Sequence, residues 1–202
     1  FDVTLAASGT TALSESVEID RFTIMNDAGL DITEDGRLVS LMGITQQNVS
    51  TVNVDGSLES YEDYTLYAGM LSGSGRIVTP YLTSMMGVVA PGDMDSVGTL
   101  DLYGNAIFAS GSTLAINLGP NGTSDVFAVH ASVESDDVIS IDAAGMADLG
   151  GAVVFMPVEG AILRDGYSAT FLTAEGGFFM DQNGDMGAFE TADISAILSP
   201  EL

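Results

Sequence analysis

Cysteine, tryptophan and lysine are all missing from this chain of 202 residues, and only one histidine is present. Without cysteine no disulfide staples the fold, so the chain must hold itself together by burying a core. At this length a folded domain hides roughly 70% of the surface its unfolded form exposes, which is enough. The lack leaves the redox compartment open. It also removes the usual zinc ligands, and a single His130 cannot complete a neutral zinc set or anchor a nucleophilic triad by itself. The basic residues are Arg21, Arg37, Arg76 and Arg164, set against 29 carboxylates for a net charge of -25. Nucleic acid and anionic membrane surfaces need a basic footprint, so neither is expected as a partner. The same argument weighs against a polyuronate lyase, which needs basic groups at its sugar. No run approaches the ~18 apolar residues of a membrane helix, and no basic-then-apolar leader opens the chain, so direct membrane insertion is not expected. The start at Phe1 and the stop at Leu202 fit a mature piece or a segment of something longer.

What is present is an apolar interior under an acidic skin. Hydrophobic residues make up 46% of the chain and the carboxylates are spread along it, which excludes a disordered acidic tail. Such a skin keeps a protein soluble by self-repulsion and attracts divalent cations. It is tolerated where salt and calcium screen it, so the expected setting is extracellular or the bacterial cell surface.

The organising stretch is 69–118. Short apolar segments each close on a glycine turn, and Gly69/Leu71, Gly98/Leu100 and Gly111/Leu114 repeat one phrase: a glycine bends the backbone and a leucine enters a strand facing inward. Earlier, Val17-Glu18-Ile19, Phe22-Thr23-Ile24, Leu30-Asp31-Ile32 and Val52-Asn53-Val54 alternate with the period of a half-buried strand. Gly36-Arg37-Leu38 and Gly56-Ser57-Leu58 stand 20 residues apart, in the range of one solenoid coil. These are the features of an all-β solenoid, in which each coil hides its apolar side only by stacking on the next.

Three departures from that rhythm are expected. Gln46, Gln47 and Asn48 mark a loop leaving the coil between Leu41 and Thr51. Pro91-Gly92 marks a corner, and Met85, Met86 and Met94 are expected to fill irregular gaps in the core. After Ser124 longer apolar segments, at 126–129, 138–141, 152–156 and 169–172, read as broader strands. A differently built end that covers the open edge of the stack is physically expected. The only stretches with helical character are 143–149 and 191–198.

From Leu71-Ser72-Gly73-Ser74-Gly75 through Gly87-Val88-Val89-Ala90-Pro91-Gly92, Val97-Gly98-Thr99-Leu100, Ser110-Gly111-Ser112-Thr113-Leu114 and Asp165-Gly166-Tyr167 to Phe171-Leu172-Thr173-Ala174 and Gly176-Gly177, the chain resembles the carboxy-terminal passenger region of bacterial autotransporters and related large secreted surface proteins. The resemblance implies a right-handed parallel β-helix with a β-sandwich-like C-terminal cap. Solenoid coils are then expected over 1–123 and a capping β segment, continuous with them, over 124–202. It brings no catalytic residues, and the lack of lysine is unusual for such passengers.

The best candidate site is a calcium loop at Asp181, Asn183 and Asp185, where oxygen ligands alternate along a glycine-bearing turn. It departs from an EF-hand, because Met186 stands at the glycine position. Asp93 and Asp95 form a weaker candidate. Paired carboxylates at Glu62-Asp63 and Asp136-Asp137 invite a glycosidase reading, although some pairs arise by chance among so many acids. Gly73-Ser74-Gly75 lacks the third glycine and the helix of a nucleotide loop. Asn48-Val49-Ser50 and Asn121-Gly122-Thr123 fit the glycosylation pattern, which carries no meaning in a bacterial protein. The expectation is a non-enzymatic structural or adhesive solenoid whose partners are other copies of itself or surface components. The alternatives are a filament or surface-layer subunit bridged by calcium, and a carbohydrate-active module.

Overall fold

The computed structural model describes residues 1–93, 96–132, 138–163, 165–180 and 183–194. The period-two segments are strands, and they stack. Asp2–Leu5, Gly9–Leu13 and Ser16–Ile19 make one coil, and Arg21–Ile24, Ala28–Ile32 and Arg37–Ser40 make the next. Each strand pairs in parallel with its counterpart one coil on: Asp2 opposite Arg21, Gly9 opposite Ala28, Ser16 opposite Arg37. Repetition of this step gives a β-solenoid with three faces. The glycine phrases Gly36-Arg37-Leu38 and Gly56-Ser57-Leu58 are in register, Arg37 opposite Ser57 and Leu38 opposite Leu58.

Inward positions line up as columns because every pairing is in register. On the first face Phe22, Ile44, Tyr64 and Leu82 stack, on the second Leu30, Val52, Leu71, Val89, Leu114 and Val153, on the third Leu38, Leu58, Ile77, Leu102 and Val129. All of them are buried. A fully buried aliphatic side chain contributes about 1.5–3 kcal/mol, but only when a coil lies above and below it. Stability is therefore a property of the stack.

Two long strands, Arg76–Ser84 and Thr99–Phe108, run around the corner from the third face to the first. Ile77 pairs with Leu58 on one side of the corner and Leu82 with Tyr64 on the other, with a register shift between Val78 and Tyr81 around Pro80. In the second of these strands the corner is Gly104, at φ +153°. A Cβ there would lie 1.9 Å from the Thr79 carbonyl oxygen, so only glycine fits. The corner between the first and second faces is held by asparagine side chains in two early coils. Asn26 and Asn48 both adopt positive φ, and the Asn26 N–H donates to Asn48 Oδ1 while its amide donates to the Ala6 carbonyl.

After residue 123 the same ladders continue. Val126–His130 and Leu172–Ala174 extend the third face, Ala152–Pro157 and Thr191–Asp193 the second, Met146–Asp148 and Gly177–Phe178 the first. Longer excursions separate these strands. At this end the core is closed by aromatic rings meeting edge to face, Phe155 with Phe171 at 5.1 Å and Phe108 with Phe189 at 5.8 Å.

Several local expectations are corrected. Ile44–Gln46 is a strand of the regular coil rather than part of a loop leaving it, because Gln46 turns inward with its hydrogen bonds satisfied. Met85 and Met86 are exposed at the turn before Val88–Pro91, not in the core, and Met94 lies outside the described residues. The stretch 143–149 holds the strand Met146–Asp148, paired to Ala106 and Ile107. Of 191–198, Thr191–Asp193 is a strand and 195–198 lie outside the described residues. Residues 138–141 belong to no strand, because they lie on the outside of the solenoid. Val138, Ile139, Ile141 and Ala143 form a strap packed onto Val39, Val78 and Tyr103 of the third face.

Candidate functional site

The expected calcium loop is only partly in view. Asp181 lies outside the described residues, and Asn183 and Asp185 sit on an exposed turn closed by pairing of Met180 with Met186, with Gly184 at φ +83°. Among the described residues no three His, Asp or Glu side chains converge in a way that holds a metal. Asp95, Asp136, Asp137 and Arg164 also lie outside the described residues. Glu62 and Asp63 form an exposed corner, where burial and the neighbouring Glu62 push the Asp63 carboxyl above its usual range.

Three polar clusters stand out instead. The first lies under the strap. Glu59 points outward from Ser57–Ser60 yet has no exposed surface. Arg37, one coil earlier, forks onto it with Nε and Nη2 at 2.7 Å each, Ser57 Oγ donates at 2.8 Å, and the backbone N–H of Ile139 donates at 2.9 Å. Burial alone would push the Glu59 carboxyl up, but the bonds from Arg37, Ile139 and Ser57 outweigh it and hold it below the usual carboxylate range. The same fork raises Arg37. A bidentate pair fastens neighbouring coils and gives the strap a fixed anchor.

The second cluster contains the single histidine. His130, at the end of Val126–His130, places Nε2 2.8 Å from Asp101 and Nδ1 3.1 Å from Glu175, and its ring stacks on Tyr103 at 4.8 Å. Burial disfavours the imidazolium, yet Glu175 and Asp101 prevail and raise its pKa. Glu175, lowered by the same contact, also accepts the N–H of Ala131, where the strap segment begins. The cluster spans three successive rungs of the third face.

The third cluster surrounds Asp125, which is almost wholly buried between the second and third faces. The N–H of Gly98 donates to Oδ1 at 2.8 Å and that of Asn117 to Oδ2 at 2.7 Å, while the Asn117 amide donates to the Asp93 carbonyl at 2.8 Å. Burial nevertheless pushes this carboxyl up to about 6. On the outer side of the second face, Asp31, Asn53 and Ser72 form a further run, with the Asn53 amide donating to Asp31 and Ser72 Oγ to Asn53.

Glu59 and Asp125 carry no signal in the sequence that sets them apart, and Gln46 reads there as a loop residue. Glu59 reads there as one acid among many, and its burial depends on Ile139, 80 positions away. Gln46 stands in an inward column between Ile24 and Leu66, where its amide donates to the Ser50 and Met70 carbonyls at 3.0 and 2.9 Å and its oxygen accepts from the Tyr64 hydroxyl. Complete burial pushes that phenol's pKa up.

No family model, curated protein or solved structure matches the chain. Its class is accordingly the one its own topology defines, a parallel β-solenoid.

Proposed function

We propose that this chain is a non-enzymatic stalk or scaffold segment of an extracellular bacterial surface protein. The observation that carries the reading is that its conspicuous polar side chains stitch one coil to another. Arg37 and Glu59 join adjacent coils of the third face, Asp101, His130 and Glu175 join three, and Asp31, Asn53 and Ser72 join three of the second. With those side chains bonded to one another across coils, the architecture favours length and stiffness, and the net charge of -25 keeps the exterior from aggregating. The resemblance to autotransporter passengers supports the surface setting.

The test is solution mass by light scattering, first with chelator and then with millimolar calcium. A stalk segment stays monomeric in both. Growth to large species on adding calcium would overturn the reading in favour of a self-assembling subunit whose acidic faces calcium bridges.

A further inference from the structure

The outer side of the third face is covered by the strap, whereas the second face carries an open groove of about 590 Å³, within the range of small-ligand sites. Its floor is apolar and shallow, made by Met70, Val88, Ala90 and Ala115, with Met156 at the side. Register places these residues in rows that cross the strands, Met70 beside Val88 and Ser72 beside Ala90, so the groove runs along the solenoid axis. Among the described residues every charged group in its lining is a carboxylate: Asp31 towards one end, Asp93 and the buried Asp125 towards the other. No arginine, histidine or aromatic ring among the described residues lines it.

We propose that this groove binds a linear aliphatic polyamine, its methylenes on the Met70–Val88–Ala115 floor and its ammonium groups at Asp31 and at the Asp93–Asp125 end. Charge and shape select this occupant. An anion is excluded by three carboxylates facing it without a counter-charge. A sugar finds no aromatic platform there on which a pyranose ring could stack, and a wholly apolar ligand leaves the carboxylates without a counter-charge. From the strand of Asp31 to the strand that ends just before Asp93 is three rungs, on the order of 14 Å at the usual strand spacing. An extended triamine bridges that span with an ammonium at each end.

Proton linkage sharpens the prediction. Burial raises the Asp125 carboxyl to about 6, with a smaller push from Asp93, the charged group that faces it among the described residues. An ammonium beside it favours the carboxylate, so binding releases a proton below that pH. Affinity is then expected to rise about tenfold between pH 5 and pH 7.5, because at pH 5 roughly nine-tenths of such a group is protonated.

The experiment is isothermal titration of the intact chain with spermidine at physiological salt. Expected is one saturable site, a tenfold gain from pH 5 to pH 7.5, and loss of binding by at least tenfold in Ser72→Arg, which lays its own cation along the groove. Asp125→Asn is expected to flatten the pH response. Asp31→Asn is the companion variant, which weakens binding without touching the Gly98 and Asn117 bonds. Many weak equivalent sites that Ser72→Arg leaves unchanged would show that the acidic skin alone attracts the amine, and would overturn the proposal. So would the absence of measurable heat, or an affinity that does not change with pH.

Discussion

The coils before Pro91 and those after Thr99 solve the same packing problem with different amounts of chain. In the first region Asp2 pairs with Arg21, Ile44 with Tyr64 and Met70 with Val88, so about 20 residues complete a turn. In the second, Thr113 pairs with Ala152 and Ala152 with Thr191, so about 40 are used. The inward columns are continuous across both. The added residues therefore do not build the core; they cover it. One excursion forms the strap over Val39, Val78 and Glu59, and others bring Phe171 and Phe189 across the end of the columns. Short coils depend on neighbouring coils for burial, while long coils supply part of their own cover.

The largest test of this contrast is truncation of the core in each region. Leu71→Ala, wholly buried between coils, is expected to cost about 3–4 kcal/mol in urea unfolding. Phe171→Ala, half-buried in the closing cluster, is expected to cost about 1–2 kcal/mol and to act mainly on local opening seen by hydrogen exchange. Equal costs spread over the whole chain would break the distinction.

Next in size is the anchor that joins the two regions. Glu59→Gln keeps the shape but loses the charged fork and is expected to cost about 2–3 kcal/mol, with faster proteolysis between residues 138 and 145. Because the folded Glu59 pKa is lowered, its contribution is present above the unfolded value of about 4.3 and is lost as pH falls through the folded value. The acid limb of a stability profile is therefore expected to flatten in the variant. If the strap stays equally protected, it does not depend on this anchor.

Within the short coils, Tyr64→Phe removes the partner of Gln46 Oε1 in the interior and is expected to cost about 1–2 kcal/mol, read from the urea midpoint. A cost near zero would mean that Gln46 is not held by the phenol.

The smallest effect concerns His130, where the strap segment begins. Its folded pKa is raised, so the clamp's stabilisation is complete below the ordinary histidine value of about 6.5 and is lost as pH rises through the folded value. His130→Gln is expected to cost about 1 kcal/mol or less at pH 6, given its partial exposure, and the difference from the parent is expected to shrink towards pH 9. A difference that is constant with pH would mark the contact as packing on Tyr103.

The legibility of the fold follows the same division. In Phe22-Thr23-Ile24 or Leu30-Asp31-Ile32 the inward and outward positions alternate within three residues, so burial is visible in the local text. Gly104 and Gly73 mark close approaches that a side chain would fill. The run 138–141 misleads because apolar residues covering the outside of a sheet look the same as those filling its inside. Gln46 misleads in the opposite direction: an amide reads as a loop residue until Ser50, Met70 and Tyr64 are seen to satisfy it. The clusters at Glu59, Asp125 and His130 were legible only as residue types, since their partners come from other coils.

By itself the sequence determined that the chain is a β-solenoid with a charged exterior, because strand period, glycine spacing and net charge are local or additive quantities. Tertiary structure alone decided which carboxylates are buried, which apolar run becomes a strap and which face keeps an open groove. Those outcomes depend on registers between residues about 20 to 80 positions apart, where the energy of a charge is set by its surroundings and not by its own identity.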